Sequence, residues 1–304
     1  FGLDFDDQAA LYRFLGANDF REYARDRSES RSDGARLLLD EHTVAYLFHA
    51  QQMENVCPFC GIFPALLATV GDGRHAFEAR FLMRHGAKAL PTNLDPTLLE
   101  ETKQLGLIKD YRVEDMEKLS FPDKSFDFVC CKDSLHHCLA PWQALYEMMR
   151  VARKGVFLIE PFDHGFLSSA IYGTRSKPFH WFEEEPGNYA YSFSERELEK
   201  LCVSRGWRCL AARGICNLWG HGIEAQAPAP TTCAVSANGW NSLKAWPASK
   251  AAYVNLGALL LRDLPGSAFR RALSDAGFAV TDLPLNPHTR RAVLQSLDIL
   301  YSRS

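Results

Sequence analysis

The sequence lacks the features that would place the protein in a membrane or on nucleic acid. No apolar run approaches the roughly 18 residues of a membrane-spanning helix, and no charged and apolar leader opens the chain. The formal net charge is -3 at pH 7, and no long run of Lys and Arg is present. We therefore expect a cytoplasmic protein that acts on a small molecule, without a nucleic-acid or membrane partner. A homo-oligomer remains an open option.

The number and spacing of the cysteines also give little support for disulfides or for a metal site. The nine cysteines are an odd number, and reduced thiols suit a chain with 47% hydrophobic residues that needs no covalent staples. Cys57 and Cys60 form a CxxC pair, but a zinc site would need a second pair, which the sequence does not contain. We predict no metal site, and a redox role for this pair competes with two small residues beside a turn.

One stretch organises the chain, an apolar run from Pro64 to Val70 that ends in Gly71-Asp72-Gly73. The run predicts a buried parallel strand, and apolar residues at helical spacing from Ala76 to Arg84 predict a helix. Strand, glycine turn and helix begin a nucleotide-binding βαβ unit, in which glycine lets the backbone approach a ligand closely. Because a third glycine is missing, a tight turn without a ligand is an equally good interpretation.

Strands and helices alternate after this unit. Strands are predicted at 64–70, 88–96, 110–113, 128–131, 156–159 and 207–215, and helices at 76–84, 97–105, 141–152 and 194–205. Such alternation predicts an α/β fold with a doubly wound, mostly parallel sheet, whose ligand crevice lies at the carboxyl ends of the strands.

The flanks of this alternating region have different patterns. Helical spacing before it predicts a helical cover, while the turn-rich C-terminal part includes a predicted helix at 251–264 and a predicted strand at 292–301. We therefore divide the chain into an N-terminal helical cover at 1–55, an α/β core at 56–215 and a C-terminal cap or dimerisation segment at 216–304 that completes the sheet.

A longer motif follows the third predicted strand. Glu114 to Val129 contains Phe-Pro-Asp-Lys-Ser-Phe-Asp at 121–127, and Ser134-Leu135-His136-His137 comes soon after it, followed by the helix and strand that lie within 147–161. In these residues the chain resembles class I S-adenosylmethionine-dependent methyltransferases, especially the small-molecule group called methyltransferase type 11. The resemblance covers roughly 60–215. It implies a Rossmann-like fold with a seven-stranded sheet and S-adenosylmethionine as the cofactor.

The resemblance also implies which residues contact the cofactor. The glycine turn would line its amino-acid and ribose parts, polar residues after the second strand would bind ribose hydroxyls, and the longer motif would hold adenine. The end of the fourth strand would contribute backbone. The corresponding residues are Gly71, Asp72, Gly73, Asn93, Asp95, Asp115, Met116 and Lys132.

Three positions depart from the family pattern. Thr69 stands where an acid usually ends the first strand, His75 stands at the third glycine, and the ribose-binding acid falls on Asn93. An amide can still bind a diol, but a charge-assisted hydrogen bond is roughly twice as strong as a neutral one. Weaker binding, a substituted cofactor and a fold that has lost its chemistry all stay open.

Methyl transfer from a sulfonium is an in-line displacement, so the protein positions the reactants and removes a proton from the acceptor. His136 and His137 follow the fourth strand and Glu160 ends the fifth, which makes all three candidate catalytic residues. An imidazole with an unperturbed pKa of about 6.5 is a natural base at neutral pH. Alternatively, the histidines order the loop over the cofactor and Glu160 bonds to nearby backbone.

We predict a methyltransferase that acts on an oxygen or nitrogen of a small polar metabolite or sugar. One alternative is a methyltransferase-like, non-catalytic binding or partner subunit, which the residues Thr69, His75 and Asn93 favour. The other is a nicotinamide-dependent oxidoreductase. It is disfavoured because the third glycine is missing and no Tyr-x-x-x-Lys pair follows the fourth strand.

Overall fold

The structure is a computed structural model that describes residues 35–54, 65–163, 183–184, 188–189, 191–215 and 255–288. The helices, numbered along the chain, are α1 (Val44–Glu54), α2 (Phe77–Arg84), α3 (Thr97–Gln104), α4 (Pro141–Val151), α5 (Glu195–Ser204) and α6 (Ser267–Asp275). The strands are β1 (Leu66–Val70), β2 (Lys88–Asn93), β3 (Arg112–Val113), β4 (Phe126–Lys132), β5 (Ala152–Pro161), β6 (Glu183–Glu184), β7 (Asn188–Tyr189), β8 (Cys209–Ile215), β9 (Asn255–Leu261) and β10 (Ala279–Asp282). Short 3-10 helices lie at Leu37–Leu39 and Leu135–His137.

Eight strands form one sheet in the order β10-β8-β9-β5-β4-β1-β2-β3. The strands from β3 to β5 in this order are parallel, whereas β9 is antiparallel to β5 and β8, and β10 is antiparallel to β8. The predicted α/β doubly wound fold is confirmed, but the sheet is mixed and has eight strands instead of seven, because β10 adds an edge strand. The strand order reverses between β1 and β4, which places the ligand crevice at their carboxyl ends.

The prediction of a helix at 251–264 is wrong, because strand β9 lies within this range. Asn255–Leu261 lies between β5 and β8, and all of its residues are buried. A strand that is buried on both faces gives a continuous apolar run without alternation, so periodicity could not separate it from a buried helix. The strand predicted at 292–301 and the CxxC pair at 57–60 lie outside the described residues.

Helices cover both faces of the sheet. Tyr46 of α1, Phe77 of α2 and Leu273 of α6 belong to the apolar cluster on one face. Met148 of α4 and Leu201 of α5 belong to the cluster on the other. Helix α1 therefore lies on the same face as α2, which follows the glycine turn. Among the helices that the structure describes, none is long and apolar enough to cross a membrane.

Arg150 of α4 fixes the long connection between β3 and β4 to the core. Its guanidinium donates to the carbonyl oxygens of Phe121 at 2.8 Å and Leu119 at 2.9 Å. It also donates to Glu147 Oε2 at 2.7 Å and to Asp123 Oδ1 at 2.9 Å. The motif at 121–127 is therefore held by a donor that is fully used.

Truncation of a core residue tests the packing of the sheet. Leu158 on β5 is 1% exposed, so Leu158→Ala should lower the free energy of unfolding by roughly 2–5 kcal/mol through lost burial and a residual cavity. Leu139 is 67% exposed, and Leu139→Ala should change it by no more than about 0.5 kcal/mol. Urea denaturation of both variants measures the difference, and equal effects would contradict this packing.

Candidate cofactor and active site

The glycine turn lies against the ends of neighbouring strands. Gly71 has a φ of +73°, and a Cβ there would lie 2.5 Å from Ser134 Cβ and 2.9 Å from Met116 Cε. A Cβ on Gly73 would lie 2.6 Å from Asn93 Nδ2. The Ser134 hydroxyl also donates to the carbonyl oxygen of Gly71 at 2.8 Å. Four predicted cofactor contacts, Gly71, Gly73, Asn93 and Met116, are thus brought together at the switch point of the sheet.

The two candidates for the ribose differ in their surroundings. Asn93, beside the glycine turn, donates from Nδ2 to the carbonyl oxygen of Asp95 at 2.9 Å. Asp95 Oδ1 accepts from the backbone N–H of Thr97 at 2.9 Å and from its hydroxyl at 2.7 Å. Asp95 therefore caps the start of α3, and Asn93 is the residue in contact with the turn.

Asp72, between the two glycines, is only 2% exposed and is bonded within the protein. Its carboxylate accepts from Thr69 Oγ1 at 2.8 Å and from the backbone N–H groups of Glu78 and Ala79 at 3.2 and 2.9 Å. Burial, and then the neighbouring Glu78 carboxylate, raise the pKa of Asp72 well above its usual range. Asp72 thus caps α2 and fixes the turn to it, while Thr69 supplies a donor where the family has an acid.

His75 occupies the position of the third glycine in a conformation that favours glycine. Its φ is +54°, and Ala76 follows with a φ of +51°. Left-handed backbone at such residues costs on the order of 1 kcal/mol each. The His75 ring is buried, with Nδ1 3.0 Å from Thr102 Oγ1, and burial lowers its pKa. The backbone of the turn is therefore kept despite the substitution.

Glu160, at the end of β5, holds the loop that follows β4. Its carboxylate is 1% exposed, and Oε1 accepts from the backbone N–H groups of Ser134 at 3.2 Å and Leu135 at 3.0 Å. Oε2 lies 2.6 Å from His136 Nδ1. A carboxylate oxygen accepts hydrogen bonds, so His136 Nδ1–H donates to Oε2 in this contact. Both oxygens of Glu160 are therefore engaged in orienting the loop and the imidazole.

The two predicted histidines are adjacent but unequally accessible. The His136 side chain is buried, whereas His137 is half-buried. Their rings stack with centroids 3.9 Å apart at an interplanar angle of 46°. His137 is thus the imidazole that a bound molecule can reach more easily, and Glu160 fixes the ring behind it.

The end of β4 also holds a buried polar cluster. The Lys132 side chain has no exposed surface, and its Nζ lies 2.7 Å from Asp133 Oδ2, 2.6 Å from His49 Nδ1 and 3.6 Å from Glu78 Oε1. Asn255 Nδ2 donates to Asp133 Oδ1 at 3.1 Å. Lys132, predicted to contribute backbone, therefore also uses its side chain to join α1, α2 and β9 at the crevice edge.

Charges in this cluster move two pKa values. Burial alone would raise the pKa of Asp133, but Lys132 and then Arg74 outweigh burial and hold that pKa well below its usual range. Burial lowers the pKa of His49 strongly, and Lys132 and Arg74 lower it further. At neutral pH Asp133 is therefore ionised and His49 is neutral.

The sequence did not identify His49 and Arg74 as residues of the candidate site. Arg74 Nη1 lies 3.3 Å from His49 Nε2, and His49 contacts Lys132 across 83 residues of chain. No spacing rule links residues so far apart. The position of Arg74 inside the glycine turn was the one available signal for its place at the crevice.

The exposed Asp115 completes the set of predicted contacts. Its Oδ1 accepts from the backbone N–H of Glu117 at 2.9 Å, which orders the residues that follow β3. Its neighbour Met116 approaches Gly71. Met116 therefore lies beside the glycine turn, whereas Asp115 bonds within its own loop.

A doubly wound sheet with a glycine turn at its switch point defines the class of nucleotide-binding α/β proteins. Residues 68–159 match a family model described as a methyltransferase domain, of the type 11 group. No curated protein matches the sequence. The matched residues run from β1 into β5, and in this part the chain is similar to methyltransferases of that family.

Two solved structures are similar in fold. One is a chain from a complex that contains the Haloferax volcanii Trm112 methyltransferase activator, with 14% identity, a TM-score of 0.52, and coverage of 80% of this chain and 98% of that chain. The other is magnesium protoporphyrin IX methyltransferase from Synechocystis PCC 6803 with bound S-adenosylhomocysteine, with 14% identity, a TM-score of 0.51, and coverage of 79% and 99%. At this identity the likeness shows a shared fold.

The ion pair at the end of β4 predicts a pH-dependent stability. The pKa of Asp133 is lower in the folded protein than in the unfolded chain. The ionised carboxylate therefore stabilises the fold above about pH 4, and this contribution is lost as the pH falls. Asp133→Asn should lower the free energy of unfolding by roughly 2–4 kcal/mol at pH 7, because the buried Lys132 ammonium loses its nearest carboxylate and keeps only Glu78 at 3.6 Å. The loss should shrink below pH 4.

Urea denaturation between pH 3 and 7 measures this difference. Asp263→Asn removes an exposed carboxylate with the same change in charge and serves as the matched control. A loss in Asp133→Asn that is constant with pH would contradict the ion-pair assignment.

Proposed function

We propose that the enzyme transfers a methyl group to an oxygen or nitrogen of a small polar metabolite or sugar. The observation that supports the proposal best is the meeting of Gly71, Gly73, Asn93 and Met116 at the switch point, with His137 following β4 at the same edge. A nucleoside fits such a turn because backbone approaches it closely and an amide can bind its ribose hydroxyls.

Each part of the crevice has a distinct task in this proposal. The bound cofactor supplies an electrophilic methyl group on a sulfonium sulfur. The glycine turn lines its amino-acid part, Asn93 bonds to the ribose hydroxyls, and Asp115 and Met116 hold the adenine. Asp72 and Asp95 support these contacts indirectly, because their carboxylates cap α2 and α3.

We assign the proton transfer to His137 and a positioning role to His136 and Glu160. The acceptor O–H or N–H gives its proton to the His137 imidazole as the new bond to the methyl carbon forms. Bound S-adenosylmethionine would supply the methyl carbon and would keep the electron pair of its carbon–sulfur bond. Stacking of His137 on His136, which Glu160 fixes at 2.6 Å, supports this division of roles.

A small polar acceptor agrees with the charges around the crevice. Arg74, Asp133 and His137 place a guanidinium, a carboxylate and an imidazole at this edge. A net charge of -3 gives no long-range attraction for a polyanion such as nucleic acid.

Cofactor binding is the first expectation. Calorimetric titration should give micromolar affinity for S-adenosylmethionine and S-adenosylhomocysteine, and none for NADH. Gly73→Asp should weaken both affinities by at least about tenfold, since a carboxylate would meet Asn93 and the ligand.

Gly266→Asp is the matched control, because a Cβ there meets no atom within 4 Å. Equal affinities in both glycine variants would show that the turn does not contact the cofactor. Binding of NADH alone would replace the methyltransferase proposal with the oxidoreductase alternative.

Measurement of turnover tests the proposed role of His137 in proton transfer. With an acceptor identified by release of S-adenosylhomocysteine, His137→Ala should lower kcat by about 10²–10⁴-fold and leave cofactor affinity unchanged. Glu160→Gln should lower kcat as well, because one of the two oxygens that accept from the loop backbone and from His136 Nδ1 becomes an NH2 donor.

Near-full turnover in both His136→Ala and His137→Ala would remove the imidazoles from the mechanism. Cofactor binding without any acceptor, in a broad screen, would support the non-catalytic partner subunit instead.

A further inference from the structure

The side chain of His75 joins the two sides of the crevice. It follows Gly73 by two residues, and its fully buried ring reaches α3, where Nδ1 lies 3.0 Å from Thr102 Oγ1. Helix α3 follows β2, and Asn93 at the end of β2 lies against Gly73. The imidazole therefore links the glycine turn to the helix behind the proposed ribose contact.

The hydroxyl of Thr102 determines the tautomer of His75. This hydroxyl donates its single hydrogen to the carbonyl oxygen of Leu98 at 2.5 Å, so its oxygen accepts from His75 Nδ1–H. The lone pair of the neutral ring is therefore on Nε2. Among the residues that the structure describes, none has a polar atom within hydrogen-bond distance of this buried nitrogen.

The surroundings of the ring favour its neutral form. Burial has the largest effect and lowers the pKa of His75. Glu101 on α3 raises this pKa, whereas Arg80 on α2 and Arg36 in the N-terminal segment lower it. Glu101 also lies 3.6 Å from Arg36, which offsets its negative charge. A second N–H on the ring would meet neither an acceptor nor a net negative charge here.

The backbone of the turn depends on contacts of this kind. His75 and Ala76 both have left-handed backbone, with φ values of +54° and +51°. Residues other than glycine keep such a conformation only where the surrounding structure holds them in it. Loss of the bond between His75 and Thr102 would therefore let the turn leave the course that brings Gly73 to Asn93.

We propose that His75 is a positioning residue: its neutral imidazole holds the glycine turn in the form that binds the nucleoside, and its protonation releases the turn. The inference rests on the proposed function, which places the nucleoside of the cofactor at this turn. A free imidazole takes up a proton below about pH 6.5, so acid favours the released turn. Cofactor affinity is then complete above this pH and is lost as the pH falls.

Calorimetry with S-adenosylhomocysteine at pH 7.5 and pH 5.5 tests this role without turnover. The wild type should bind at least about threefold more weakly at pH 5.5, since exclusion of one proton lowers affinity by up to tenfold per pH unit. His75→Asn keeps a donor near the position of Nδ1 and a residue type that tolerates left-handed backbone, but it does not titrate. This variant should keep the affinity at pH 7.5 within about threefold and lose the pH dependence.

His288→Asn is the matched control, because it removes an exposed imidazole by the same substitution. It should bind with the pH dependence of the wild type. Titration of the ligand itself affects all of these proteins alike, so the comparison between them isolates His75.

A double-mutant cycle tests the bond to α3. Thr102→Val removes the acceptor of Nδ1–H and keeps the shape of the side chain, so it should weaken binding at pH 7.5 by about threefold or more. In a His75→Gly background the same substitution should change the affinity by less than about twofold, because glycine takes the left-handed backbone without a side-chain contact. Equal losses in both backgrounds would overturn the link through His75.

Equal affinities of the wild type at both pH values would overturn the inference, and so would a pH dependence that His75→Asn retains. In both cases the nucleoside still binds, and the proposed function stands. A wild type that does not bind S-adenosylhomocysteine at either pH would overturn the proposed function, and the inference would fall with it. Thermal unfolding at both pH values shows that each variant is folded under the conditions of the titration.

Discussion

A buried ammonium at the end of β4 is the constraint on which the arrangement of the crevice depends. Removing an ion from water costs several kcal/mol unless close partners replace the solvent. Lys132 finds them in Asp133, Glu78 and His49, which come from three different elements. The charge therefore fixes α1 and α2 relative to the sheet, and it places His49 beside the glycine turn.

The residues that depart from the family pattern also have partners that support the glycine turn. Thr69 donates to Asp72, and Asp72 satisfies the first N–H groups of α2, so the turn stays anchored without the usual acid. His75 takes the left-handed backbone of a glycine and places its ring against Thr102. Thr69 and His75 therefore support the turn through contacts within the protein.

Much of the fold follows from the sequence, because helices and parallel strands leave strong local patterns. The apolar run before Gly71 became β1, and the positions of β2, β4 and β8 were close to those predicted. Prediction failed where the pattern is ambiguous. Strand β9 was taken for a helix, since burial on both faces removes the alternation that identifies a strand. The antiparallel edge strand β10 is short and mostly exposed, and it gave no comparable signal.

The sequence by itself determined the α/β class, the glycine turn at the switch point, and the residue types near the cofactor, since these depend on periodicity and on motifs within short segments. The tertiary structure decided which of those residues remain available to a ligand. It gave Asp72, Asp95 and Glu160 structural hydrogen bonds, left Asn93 at the turn, and brought His49 to Lys132. The partners of Asp72 and Asp95 lie within a few residues, but Glu160 and His49 meet theirs in distant segments, and local sequence holds no record of such contacts.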